Sequence, residues 1–197
     1  MNNMIKKIAL IAVSVLFLSG FYACEKGDGE SDYGFSIIYM PQSTQNGGIN
    51  NNYLVPSGEG IYTYNFRVDS VKKELNILLG VLRSGDLSNS AYSVDIVARM
   101  DTTLQIVNNT DDNAIVNGMV FPTELFSLPQ KVDVASNKNG ESFYMTVPTE
   151  VLKNAIYTDK NLVLTVGLAN PSKYELSDTN SSTVVILDVN AIRKFLP

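Results

Sequence analysis

The 197-residue sequence contains no histidine, no tryptophan and a single cysteine. Without histidine, neither a Ser-His-Asp nor a Cys-His nucleophile system can be built, and His-ligated metal sites are excluded as well. One cysteine excludes an intrachain disulfide and a Cys-cluster zinc site. Basic residues are in the minority, 15 Lys plus Arg against 20 Asp plus Glu, for a net charge of -5. That balance speaks against nucleic acid as a partner, because phosphate contacts need a basic face. The N-terminal apolar run, residues 8–18, is interrupted by Ser14 and is too short for a membrane-crossing helix, which takes about 20 residues. What is present is enough for a real core: 45% of the residues are hydrophobic, too many for a disordered chain. The length suits one domain.

The N-terminus reads as an address rather than as part of the fold. Lys6 and Lys7 make a positive start, the apolar run follows, and Ser19-Gly20-Phe21-Tyr22-Ala23-Cys24 closes it. A small residue just before a lone Cys after a short apolar run resembles a bacterial lipobox, with Phe21 where most lipoboxes carry Leu. The resemblance implies cleavage before Cys24 and lipidation of its thiol and new amino group. The plainer reading is an ordinary signal peptide with Cys24 as a bystander thiol. Two or more acyl chains, each adding about 0.8 kcal/mol per buried methylene, give stable anchoring without a spanning helix. Residues 24–34 are polar, acidic and Gly-containing, the composition of a flexible tether. An acidic stretch directly after the Cys also resembles the surface-export signal of Bacteroidetes lipoproteins, which implies an outer-membrane protein facing outside the cell. Removing residues 1–23 takes away Lys6 and Lys7 and no acid, leaving 13 basic against 20 acidic residues, a net of -7.

The remainder, residues 35–197, reads as a run of strands. Period-2 alternation recurs at 61–69, 75–83, 92–100 and 162–168, the signature of half-buried strands. The 75–83 segment carries apolar residues on both faces and is expected to be central. Residues 131–136 and 142–147 flank Asn137-Lys138-Asn139-Gly140, a hairpin signal, since Asn and Gly accept the positive φ of a tight turn. With 36–40, 174–176 and 183–189 this makes about nine strands. Many short strands between Gly, Asn, Asp and Ser clusters point to an all-β fold, an antiparallel immunoglobulin-like β-sandwich. Pro-Thr-Glu at 122–124 and 148–150, with Pro and Glu in positions that suit a helix start, gives one or two short helical turns, and the tail from 190 gives another. The Asn/Asp-rich stretch 102–118 is expected to be a long loop.

Three stretches carry a family resemblance: Ile37-Ile38-Tyr39-Met40-Pro41-Gln42; Met119-Val120-Phe121-Pro122 with Leu125-Phe126-Ser127-Leu128; and 162–168 followed by Asn170-Pro171-Ser172-Lys173-Tyr174-Glu175-Leu176 and Ser182-Thr183-Val184-Val185-Ile186. Together they resemble the immunoglobulin-like or Calx-beta-like N-terminal domains of Bacteroidetes surface lipoproteins. Such domains have no settled function alone and often precede glycan-binding or glycosidase domains. The resemblance brings no defined site residues with it.

The side chains left for chemistry are carboxylates, amides, hydroxyls and Tyr rings. Glu124, Glu141, Glu150 and Glu175 show no spacing that selects a catalytic pair, and no catalytic residue is assigned; the expectation is a protein that is not an enzyme and needs no cofactor. Residues 108–113 form an oxygen-rich loop in which Asp111, Asp112 and Asn113 offer the ligand type calcium prefers, or are simply solvated. A flat ring can stack on the apolar face of a pyranose. Tyr62 and Tyr64 share a face with Phe66 and Val68 and read as core, which leaves Tyr53, Tyr144, Tyr157 and Tyr174 as exposed candidates. The expected function is a lipid-anchored, non-catalytic surface domain that binds polysaccharide or assists a glycan-uptake system. The alternative is a structural or adhesive protein contacting other surface proteins.

Overall fold

Alternating side chains sort onto two sheets in the computed structural model, which describes residues 36–44, 51–57, 65–85, 90–112 and 114–197. The signal segment, Cys24, the tether, Tyr62, Tyr64, most of the 46–52 loop and Asn113 lie outside the described residues. The first sheet holds β1 (Ile37–Tyr39), β3 (Phe66–Asp69), β4 (Glu74–Arg83), β8 (Gly140–Pro148) and β10 (Glu175–Leu176). The second holds β2 (Asn52–Val55), β5 (Tyr92–Ala98), β6 (Gly118–Val120), β7 (Lys131–Val134), β9 (Asn161–Ala169) and β11 (Ser182–Asp188). Leu75, Ile77, Leu79 and Val81 of β4, with Phe143, Met145 and Val147 of β8, join Val94, Leu162, Leu164, Val166, Val185 and Leu187 of the second sheet in one core. Burying each such side chain contributes roughly 1.5–3 kcal/mol. With no disulfide, this packing and the strand ladders carry the stability.

The expected sandwich is present, but its sheets are mixed rather than purely antiparallel. Three pairs run parallel: β1 with β10, β2 with β11 and β6 with β9. Two of these involve β2 and β6, the short strands that bring the described total to eleven rather than nine. Each is too short to show an alternation and is held by the longer strand beside it. The Asn137–Gly140 segment also differs from the expected hairpin. β7 pairs with β5 in the second sheet, and β8 pairs with β4 in the first. Asn137 does take a positive φ of 65°. The turn carries the chain from one sheet to the other, so Val132 and Val134 meet Phe143 and Met145 in the core rather than across a ladder. Turn chemistry sets the reversal; the open edges of β4 and β5 decide which partner each arm finds.

Both central strands have a divided edge. β4 pairs with β8 along its length, while its other edge is shared by β3 at the start and β1 at the end. In the gap the Leu78 amide donates to the Asn65 carbonyl (2.8 Å), and the Gly80 amide donates to Gln42 Oε1 (3.3 Å). β9 likewise pairs with β11 on one side and with β6 and then β5 on the other. Its gap is at Thr165, whose amide donates to Thr103 Oγ1 (2.8 Å) and whose carbonyl accepts from the Arg99 amide (2.8 Å). Buried backbone groups that miss a strand partner still need a hydrogen bond, and the side chains of Gln42 and Thr103 and the backbone of Asn65 and Arg99 supply it.

Thr103 belongs to α1 (Met100–Val107), an eight-residue helix where the 92–100 strand and the 102–118 loop were expected. The strand ends at Ala98. The outer face of the second sheet carries Val163, Val184 and Ile186, and Ile106, Val107 and Ile115 pack against them as a second, smaller core. The helix forms because that apolar face must be covered, although Thr102, Thr103, Ile106 and Val107 favour a strand by propensity. The short turns expected elsewhere are present: a 3-10 turn at Thr123–Leu125, α2 (Thr149–Leu152) and α3 (Val189–Arg193), where Asp188 caps the helix by accepting from the Ala191 amide (2.9 Å).

Candidate functional site

Two of the four tyrosines expected at the surface are in the core. Tyr53 is only 3% exposed. Its side chain crosses from β2, and its hydroxyl donates to the Leu78 carbonyl of β4 (2.9 Å), tying one sheet to the other. Tyr157 is buried in the 3-10 turn Ala155–Tyr157. Tyr174 is half-buried: its ring stands edge-on to Tyr92 at 5.6 Å, and the Arg83 guanidinium lies over it at 5.1 Å. For Tyr53 the correction has a plain physical cause. A ring carries far more apolar area than its hydroxyl can hold at the surface, so any tyrosine facing the core side of a strand is drawn in, provided its OH finds an acceptor.

Burial gives Tyr53 and Tyr92 a distinct titration. Removal from water disfavours the phenolate and pushes both from the ordinary 10.0 up to about 12. The unfolded chain releases these protons near pH 10 and the folded chain holds them to about 12. The stability they contribute is therefore complete below pH 10 and is lost as the pH rises from 10 to 12. Denaturation midpoints measured across this range are expected to fall, less steeply for Tyr53→Phe. Tyrosinate absorbance developing in full before any loss of structure would contradict the assignment.

Tyr144, the fourth candidate, is half-buried like Tyr174, but it faces outward. Its strand position is set by parity: Phe143, Met145 and Val147 point inward, so Ser142, Tyr144 and Thr146 point outward. Across the ladder they face Gly80, Leu78 and Asn76 of β4. Beyond β4, Arg67 of β3 shares this outer face, in register with Asn76. Its long side chain reaches back over β4 and lays the guanidinium 4.4 Å from the centre of the Tyr144 ring. Such a contact contributes about 0.5–1 kcal/mol at an exposed site. Beneath it the Thr146 hydroxyl donates to Asn76 Oδ1 (3.0 Å). Alongside runs a shallow groove of about 320 Å³, with Pro41, Gln42, Leu78, Gly80, Leu82 and Ser142 among its lining.

The carboxylates do not converge there. Glu141, at the groove's rim, is paired with Lys138 at 2.7 Å, and that hydrogen bond holds its carboxyl below the usual range. Glu150 pairs with Lys153 on α2, Glu124 begins the 3-10 turn, and Glu175 lies on β10. Asp111 and Asp112 stand exposed on the turn after α1, where the Asp111 amide donates to Asn109 Oδ1 (3.0 Å). Among the described residues no three acidic or thiol side chains gather as a metal cluster would.

The outer face of the second sheet carries a groove of its own, about 390 Å³, between β2 and residues 114–116. Leu54 and Val116 border it and are 56% and 74% exposed, with Ile115 and Ile186 as its floor and Asp188 at its rim. Sequence reasoning missed this site: a lone Leu54 in a four-residue strand carries no pattern that marks it as outward-facing.

In class the chain is a two-sheet β-sandwich, and solved structures share that fold. A protein of unknown function from Bacteroides ovatus aligns at a TM-score of 0.50 with 6% identity, over 79% of this chain and 52% of its own. A second from the same organism aligns at 0.51 with 12% identity, over 77% and 46%. This chain therefore spans about half the length of either. The apo form of the Calx CBD1 domain aligns at 0.41 with 14% identity, over 79% of this chain and 99% of its own. No family model and no curated protein matches the sequence.

Proposed function

We propose that the protein is a lipid-anchored, non-catalytic domain of the cell surface that binds glycan through the outer face of its first sheet. The observation that supports this most is the outward-facing position of the half-buried Tyr144, on a face shared with Arg67, Ser142 and Leu78 and beside an open groove. Hydroxyl, amide and guanidinium groups around an aromatic ring match the alternating polar edge and apolar face of a sugar. Calorimetry of the full chain against a panel of neutral and acidic oligosaccharides tests it. Binding that Tyr144→Ala weakens about tenfold, equivalent to about 1.4 kcal/mol, is the expected result. No binding across the panel, or binding indifferent to Tyr144, would sink it. The anchor is tested separately: a labelled fatty acid is expected to be incorporated by the wild-type chain and lost from Cys24→Ser, along with membrane association. Equal labelling of both would remove Cys24 from the reading.

The groove beside β2 supports a second reading, contact with another copy of this chain. Light scattering that shows a defined oligomer, dissolved by Leu54→Asp, would move the assignment to a structural subunit.

A further inference from the structure

The Arg67 guanidinium lies over the ring of Tyr144, and this has consequences for the ligand. Arg67 is exposed, and its guanidinium makes no hydrogen bond and no ion pair among the described residues; it lies over the Tyr144 ring and its charge also acts on Asp69. A guanidinium held over an aromatic ring by cation–π attraction keeps N–H donors free for a further partner. Its long stem has already given up rotamer freedom, which lowers the cost of a later contact. Two acids share this outer face, Asp69 on the same strand and Glu74 opposite it on β4. Asp69, two residues along the same face, accepts from the Val71 and Lys72 amides at 3.0 and 2.9 Å, and Glu141 is bound to Lys138.

We propose that Arg67, positioned by Tyr144, binds an isolated carboxylate on an otherwise neutral glycan. The proposal rests on the glycan-binding reading and narrows it to one substrate class. A planar carboxylate can accept two parallel N–H bonds from the fork, a geometry that a neutral sugar hydroxyl cannot match. The overall charge argues for one acid rather than many. Acids outnumber bases 20 to 15, so a dense polyanion meets repulsion around the site, whereas a single carboxylate beside Arg67 feels mainly the charges within about 8 Å at physiological salt.

The test compares the full-length protein with 3′-sialyllactose and lactose, and with a glucuronate-capped xylo-oligosaccharide and its uncapped parent. A heparin oligosaccharide serves as the dense polyanion. At least one acidic member is expected to bind about tenfold more tightly than its neutral parent, and the two pairs tell a sialic acid from a uronic acid. The preference should disappear in Arg67→Gln, shrink in Arg67→Lys, survive in Tyr144→Phe and be lost in Tyr144→Leu, which keeps the bulk and removes the ring. Circular dichroism of each variant confirms that it is folded. Equal binding of acidic and neutral sugars, with Tyr144→Ala still weakening both, would overturn the carboxylate proposal and leave the glycan reading in place. A preference that Arg67→Gln does not change, or heparin binding above the singly charged ligands, would also overturn it. Binding to none of the five probes would overturn both.

Discussion

Gly140→Ala is expected to destabilise the domain by about 3 kcal/mol, the upper end of what overpacking a strand interface costs. A Cβ at Gly140 would overlap the Val81 carbonyl oxygen and a methyl of Leu82. The first of these is backbone and cannot swing aside. Moving it would disturb the β4–β8 ladder at Leu82↔Gly140 and Val81↔Glu141. It would also strain the adjoining turn, where the Asn139 carbonyl accepts from the Arg83 amide (2.7 Å) and from the Tyr92 hydroxyl (2.9 Å). Gly80→Ala provides the contrast within the same sheet. A Cβ there meets Pro41 at 3.4 Å and nothing closer, an ordinary contact. Its effect should stay within about 1 kcal/mol, since the added contact is offset by reduced freedom of the unfolded chain. Urea denaturation of both variants checks the pair; equal midpoints would mean that the close approach at Gly140 does not exist in solution.

Thr103→Val is expected to cost about 1–3 kcal/mol, the usual penalty for leaving a buried donor without a partner. The Thr103 hydroxyl is buried and does two things. It donates to the Arg99 carbonyl (2.9 Å) and accepts from the Thr165 amide (2.8 Å), closing the gap that β5 and β6 leave on β9. Valine keeps the shape and removes both bonds. Thr103→Ser should recover most of the loss. Thr165→Val reverses the expectation: the Thr165 Oγ1 is buried without a hydrogen-bond partner, so replacing the hydroxyl with a methyl should be neutral or stabilising. Hydrogen exchange at the Thr165 amide separates the two cases, rising in Thr103→Val and staying slow in Thr165→Val. If both threonines behave alike, the helix is not what completes this edge of the sheet.

The divided edges show where sequence reading reaches its end. The long strands β4 and β9 announce themselves by alternation and by apolar residues on both faces, and the 162–168 run lies within β9. Nothing in a linear pattern says that two short strands share one edge, or that Gln42, Asn65 and Thr103 close the gaps, because their partners lie 38, 13 and 62 residues away. The helix α1 is hidden for a related reason. Its β-branched residues favour a strand locally, and only the apolar outer face of β9 and β11 makes a helix the better cover.

The candidate site divides in the same way. Period-2 parity places Tyr144 opposite Phe143 and Met145, and there it stays. At Tyr53-Leu54 the segment is too short for parity to show, and the tyrosine expected outside ties the sheets together while the leucine faces solvent. A single-residue change of register turns every side chain to the other face. That Arg67 lies over Tyr144 could not be foreseen, since β4 stands between them in the sheet.

Composition and alternation alone were enough to exclude histidine- and cysteine-based chemistry and to call for a sandwich, because those conclusions depend on residue types and local periodicity. Strand pairing, the direction of each pair, the use of the Asn137 turn as a crossover and the meeting of Arg67 with Tyr144 belong to the tertiary structure. They depend on which buried backbone groups remain without a partner and which apolar faces remain uncovered, and both are settled only when distant segments compete for the same edge.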